Sequence, residues 1–97
     1  MSEPEANAIE VRHNFGMNRF EATVDEKLSV VDYVRHDREI VMTHTFVPLE
    51  LRGRGIAEKL VQAALDFAAT ERLKVVPACS YVGRFITLHP EYRPLLD

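Results

Sequence analysis

The residues best suited to chemistry lie in the stretch Val47-Pro48-Leu49-Glu50-Leu51-Arg52-Gly53-Arg54-Gly55-Ile56-Ala57. Two glycines stand two positions apart, each preceded by an arginine, where a strand-like run gives way to a helix-like one. A helix start leaves several backbone N–H groups without intrahelical partners and carries about half a positive charge. Ser, Thr, Asp or Asn normally accepts those hydrogen bonds. None of the four occurs between Pro48 and Leu60. Gly53 and Gly55 let backbone approach a ligand closely, and Arg52 and Arg54 add positive charge. Such a tip suits an external anion, phosphate or pyrophosphate first. The same residues also suit a plain tight turn whose amides are solvated. Two other phosphate motifs are excluded by spacing. No Lys-Ser or Lys-Thr follows the second glycine, as a P-loop requires, and Glu58 stands where a dinucleotide fingerprint needs its third glycine.

Three more side chains have chemical potential. Cys79 ends an apolar run just before a helix-like segment, where a thiol can act as nucleophile or proton donor, or can pack as a small hydrophobe. His44 lies on the strand leading into the glycine loop and can take a proton near neutral pH, or serve the sheet as a hydrogen-bonding residue. Tyr81 adds a phenol two residues beyond the thiol. His13, His36, His44 and His89 form no metal-ligand spacing, so no metal is expected. Ser80 and His89 lack the Gly-x-Ser-x-Gly context of a serine hydrolase.

The elements that must position these groups follow from periodicity. Ile9–Asn14, Arg19–Asp25, Leu28–Arg35 and Glu39–Val47 read as four short strands separated by turn residues, an antiparallel meander. In the fourth, Ile40, Met42, His44 and Phe46 are expected on one face and Val41, Thr43, Thr45 and Val47 on the other. Apolar residues on both faces imply a strand covered on both sides. From Gly55 to Thr70 the apolar positions Ile56, Leu60, Val61, Ala64, Leu65, Phe67 and Ala68 follow helical spacing. Leu73–Cys79 reads as a strand reached by a parallel crossover. Ser80–Leu88 reads as a short closing helix with Tyr81, Phe85 and Leu88 on one stripe, stopped by His89-Pro90. The fold class is therefore α+β, or mixed α/β.

Composition bounds the function. The chain has 97 residues, 46% hydrophobic and 28% charged, enough for one core. Residues 1–8 are expected to form a flexible tail ahead of a single domain over 9–97. The net charge of −3 argues against a dedicated nucleic-acid binder. No apolar run reaches the roughly 20 residues of a membrane span. The acidic start is unlike a secretory signal, and the lone cysteine fits a reducing compartment. A soluble, cytoplasmic protein is expected, a monomer or a weak homodimer.

Arg52-Gly53-Arg54-Gly55-Ile56-Ala57 resembles the Arg/Gln-x-x-Gly-x-Gly/Ala motif of the GNAT superfamily of N-acetyltransferases. His44-Thr45, Pro77-Ala78-Cys79-Ser80-Tyr81-Val82 and His89-Pro90-Glu91-Tyr92 are similar to its very small single-domain branch, so that the likeness runs over residues 9 to 96. The resemblance implies a minimal GNAT-like fold and acetyl-CoA as co-substrate. Its pyrophosphate would be held by Arg52, Gly53, Arg54, Gly55, Ile56 and Ala57, and its pantetheine would pair with the backbone of Phe46 and Val47. It implies that Glu39–Val47 and Leu73–Cys79 splay apart around that arm, which Pro77 favours because it lacks an N–H. It places Cys79 at the thioester, with Cys79 or Tyr81 protonating the leaving thiolate and His44 or a water deprotonating an amine acceptor. Phe85 stands where many members carry a catalytic tyrosine, and Phe46 leaves the strand without a carboxylate base. The lack of helices between the first two strands implies an open acceptor side, suited to a protein N-terminus, a lysine or a polyamine. A non-catalytic coenzyme A-binding module is the alternative.

Overall fold

The computed structural model describes residues 9–96. The expected tail over 1–8 and the final residue lie outside the described residues. Five strands form one sheet in sequence order: β1 (Arg12–Asn14), β2 (Arg19–Val24), β3 (Lys27–His36), β4 (Glu39–Phe46) and β5 (Lys74–Pro77). The first four pair antiparallel and β5 joins β4 in parallel. Helix α1 (Ile56–Thr70) makes the crossover, and α2 (Ser80–Leu88) follows β5. Short 3-10 turns at Leu49–Leu51 and Pro90–Leu95 complete the chain.

The turns have local causes. Asp25 and Glu26 both take positive φ, as a two-residue hairpin turn between twisted strands requires. At its C-terminus α1 ends in a Schellman motif. The Leu73 N–H donates to Ala68 O at 2.8 Å and the Arg72 N–H to Ala69 O at 3.2 Å, with Arg72 at φ +58°. This turn feeds β5 back beside β4.

One continuous core lies between the sheet and the helices. Phe20, Ala22, Val31, Tyr33, Ile40 and Met42 from the sheet meet Ile56, Leu60, Val61, Ala64, Leu65 and Ala68 of α1. Val82, Phe85 and Ile86 of α2 join the same cluster. The α2 stripe is therefore Val82, Phe85 and Ile86, and Leu88, expected on it, is exposed. The expected first strand shortens from Ile9–Asn14 to Arg12–Asn14, the three residues that pair with Arg19–Glu21 of β2.

The alternation expected for β4 fails at a bulge. Met42 pairs with Tyr33 and His44 with Asp32, so Thr43 is an extra residue on β4. A bulge inserts one residue and shifts the facing of everything after it. His44 and Phe46 thus share the face of Asp32 and Val30, while Thr45 shares the α1 face with Met42. The expectation that His44 and Phe46 face with Met42 is corrected. So is the expected cover on both faces: on the side away from α1, Val34 is 50% and Phe46 45% exposed.

Candidate functional site

Beyond Pro77, β4 runs on without β5. The parallel ladder ends at the Met42–Pro77 pair, and the Cys79 N–H donates to Met42 O at 2.9 Å as the chain turns away. Residues 43–46 of β4 therefore have no strand partner on that side among the described residues. The gap leads toward the start of α1. A cleft of about 460 Å³ opens there, within the range of small-ligand sites. Its walls are the end of β4 (Thr45, Phe46) with Val47 just beyond it, the loop (Arg52, Gly53, Gly55), the first turn of α1 (Ile56, Ala57, Glu58), Leu51 and Tyr81.

The helix tip is bare of side-chain caps. Gly55 is the N-cap residue at φ +80°, and no side chain hydrogen-bonds there. Gly53 sits at φ +88°, and a Cβ built on it would meet nothing within 4 Å. Both conformations suit glycine and disfavour other residues. The space beside Gly53 is one that a side chain would fill and an anion can use. Arg52 donates from Nε to Val47 O at 3.0 Å, closing the loop onto the end of β4. Arg54 points away from the cleft lining to Asp25 of the β2–β3 turn, Nη1 to Oδ2 3.1 Å.

Of the other expected residues, Tyr81 lines the cleft. Burial, and then the nearby Glu58 charge, push its phenol above the ordinary range, so it stays protonated at neutral pH. Cys79 stands just behind the lining, its Sγ–H donating to the Thr45 hydroxyl at 3.4 Å. Burial alone would raise its pKa. The Thr45 hydroxyl and the backbone of Val82, Tyr81 and Thr45 outweigh that and bring the thiol below its ordinary value. His44 is not brought together with these groups. It is exposed on the opposite face, across from Asp32, whose Oδ1 accepts from Arg19 Nε at 2.9 Å. Among the described residues no three His, Cys, Asp or Glu side chains are grouped to hold a metal. None of their helices is long and apolar enough to cross a membrane.

Thr45, Leu51 and Glu58 line the cleft without having been singled out from sequence. Glu58 had a signal, since a glutamate in the third position of a helix characteristically reaches back to its start. Thr45 had none, because the bulge that turns it inward is invisible to alternation.

The family model for the GCN5-related N-acetyl-transferase matches residues 19–95. The chain belongs to this family. Protein NATD1 of Xenopus tropicalis is 32% identical over 89 residues, covering 88% of this chain and 81% of that protein. Protein NATD1 of Homo sapiens is 35% identical over 86 residues, covering 84% and 75%. Among solved structures, the solution NMR structure of a GCN5-like protein from Staphylococcus aureus superposes with a TM-score of 0.73 at 28% identity. It covers 92% of this chain and 88% of that one. The GCN5-related fold is thus present with its sheet, crossover helix and second helix in a chain of 97 residues.

Proposed function

We propose that the protein binds acetyl-CoA in this cleft and transfers the acetyl group to an amine. The observation that carries the reading is the meeting of two openings. The β4–β5 gap and the uncapped start of α1 run into one cleft, with glycine at both positive-φ positions. Backbone N–H groups at Gly53 to Ala57 would receive the pyrophosphate. The open edge at Phe46, the end of β4, and the backbone N–H of Val47 just beyond it would pair with the amide-bearing arm, the Val47 carbonyl being held by Arg52 Nε. The co-substrate supplies an activated acyl group, and the protein supplies position and protons. The acceptor nitrogen forms a bond to the acyl carbon as the carbon–sulfur bond breaks. Tyr81, held protonated, gives its proton to the departing sulfur and regains one from solvent. The proton lost by the amine passes to water, since His44 lies across the sheet. Cys79, with its lowered pKa beside Thr45, is the second group able to exchange a proton or an acyl group there.

The hairpin from β1 to β2 is a four-residue loop with no helix, so nothing in it walls off the acceptor side. A large or extended amine, such as a protein N-terminus, a lysine or a polyamine, fits that openness better than an enclosed metabolite. A reducing cytoplasm suits the single free thiol.

The direct test is titration with coenzyme A followed by free-thiol release from acetyl-CoA with a panel of amines. Amides of residues 53–57 should shift on titration, and thiol release should depend on the amine. Gly53→Leu should lower affinity at least about tenfold, because its side chain fills the free space. Its backbone cost should be about 1–2 kcal/mol. One observation favours a second reading, a coenzyme A-binding module without catalysis: the cleft lining contains no histidine. Binding without thiol release from any amine would support it.

A further inference from the structure

The helix tip that is free of caps is not free of anions. Glu58, the third residue of α1, lines the cleft, and its Oε1 lies 3.5 Å from where a Cβ on Gly55 would stand. Among the described residues no hydrogen bond or ion pair holds this carboxylate elsewhere. Both neighbouring arginines are engaged by other groups, Arg52 with Val47 O and Arg54 with Asp25. Glu58 thus lies beside the positive end of α1 and its open N–H groups, without a side-chain hydrogen bond to them and close enough to Tyr81 for its charge to be felt there, and the helix end favours a carboxylate in that place. The same N–H groups are those that a pyrophosphate would use.

We propose that Glu58 is an internal competitor for the anion cradle, a residue that sets how tightly phosphate-bearing ligands are held. The inference rests on the coenzyme A reading of the cleft. In the empty protein the carboxylate stabilises the helix start. In the occupied protein it faces a ligand of like charge and must swing outward, which its exposed position allows. One side chain thus favours the empty helix and disfavours the filled cradle. A purely structural helix-end glutamate would do only the first.

Removing the charge should therefore move two measurements in opposite directions. Glu58→Gln and Glu58→Ala should each lower the apo melting temperature slightly. Both should tighten coenzyme A by about three- to tenfold, the effect of one partly screened like charge. Inorganic pyrophosphate should gain similarly, whereas pantetheine, which lacks phosphate, should bind wild type and variants alike. Isothermal titration of the three ligands, with amide shifts at residues 53–57, reads all of this. Coenzyme A affinity that is unchanged or weaker in both variants overturns the proposal while leaving the coenzyme reading intact. A gain for pantetheine equal to that for coenzyme A also overturns it. No amide shift in wild type with either coenzyme A or pyrophosphate removes the coenzyme reading, and this inference falls with it.

Discussion

Cys79 Sγ and Thr45 Oγ1 stand 3.4 Å apart, joining the end of the β5 crossover to the strand that β5 has just left. The Thr45 side chain reaches this position because the bulge at Thr43 turns it toward α1. Its hydroxyl is the largest of the effects that offset burial and lower the thiol pKa. Thr45→Val keeps the shape and removes the hydroxyl. The thiol pKa should then rise, with about a two- to tenfold loss of thiolate at neutral pH, the worth of one hydrogen bond. The midpoint of the pH–rate profile for alkylation by iodoacetamide measures this. An unmoved midpoint would show that Thr45 does not govern the thiol.

Tyr81 differs from Cys79 in direction, since burial and Glu58 hold its phenol protonated. On the proposed mechanism Tyr81→Phe should lower kcat about a hundredfold, in the range of one general acid. Coenzyme A affinity should stay within about twofold, because the ring remains in place. A full loss of affinity would mean that the phenol binds the ligand instead of serving the proton transfer.

Much of this arrangement was legible in the sequence, and the failures share a cause. Helix α1 was readable because Ile56, Leu60, Val61, Ala64, Leu65 and Ala68 repeat with helical spacing and all are buried. The end of α2 follows from the stop at His89-Pro90, whereas its start does not follow from capping by Ser80: the N-cap is Cys79, no side chain caps it, and Ser80 is the first helical residue. The glycine loop declared itself by the missing cap. What was hidden is non-local. The bulge depends on how β4 registers against β3, and it alone separates His44 from Thr45. The bare second face depends on which side the crossover takes. Leu88 is exposed because α2 meets the core through Val82, Phe85 and Ile86, a choice among several stripes that a nine-residue helix leaves open.

His13 gives the fold a pH dependence far from the cleft. Its ring is stacked between Phe15 and Phe20, at centroid distances of 3.7 and 4.0 Å, and meets Phe67 of α1 edge-on. Its Nε2 is hydrogen-bonded to the Tyr33 hydroxyl at 2.6 Å, as donor or acceptor according to the imidazole tautomer. Burial first, then the Arg35 charge, depress its pKa below 6.5. The unfolded chain therefore binds this proton more readily than the folded one. The stabilisation is fully present above about pH 6.5 and is lost progressively as pH falls from there through the lower folded value. Urea unfolding of wild type and His13→Phe at pH 7.5 and 5.5 tests this. The wild type should lose more stability on acidification, and parallel losses would contradict the assignment.

Ser29 is fully buried on the α1 face of β3, and its hydroxyl has no hydrogen-bond partner among the described residues. An unsatisfied buried hydroxyl carries a desolvation penalty of about 1–3 kcal/mol. Ser29→Ala keeps the Cβ and removes that group. Its melting temperature should equal or exceed that of wild type, whereas a clear loss would reveal a hydroxyl contact or a bound water.

Arg72 closes α1 from the left-handed region at φ +58°, the position where Schellman motifs usually carry glycine. The two hydrogen bonds of the motif, from Leu73 and Arg72, depend on that backbone conformation and not on the side chain. Arg72 is exposed, and no ion pair of its guanidinium occurs among the described residues. A non-glycine residue there costs about 1–2 kcal/mol, which glycine would relieve. Glycine also has the more flexible unfolded chain, which offsets part of that gain. Arg72→Gly should therefore stabilise the protein by up to about 1 kcal/mol, and Arg72→Val should destabilise it, since a β-branched residue tolerates positive φ least. Thermal unfolding of the two variants gives the order. If valine proved as stable as glycine, the turn into β5 would have to relax to another conformation. The parallel pairing that opens the cleft would then not depend on it.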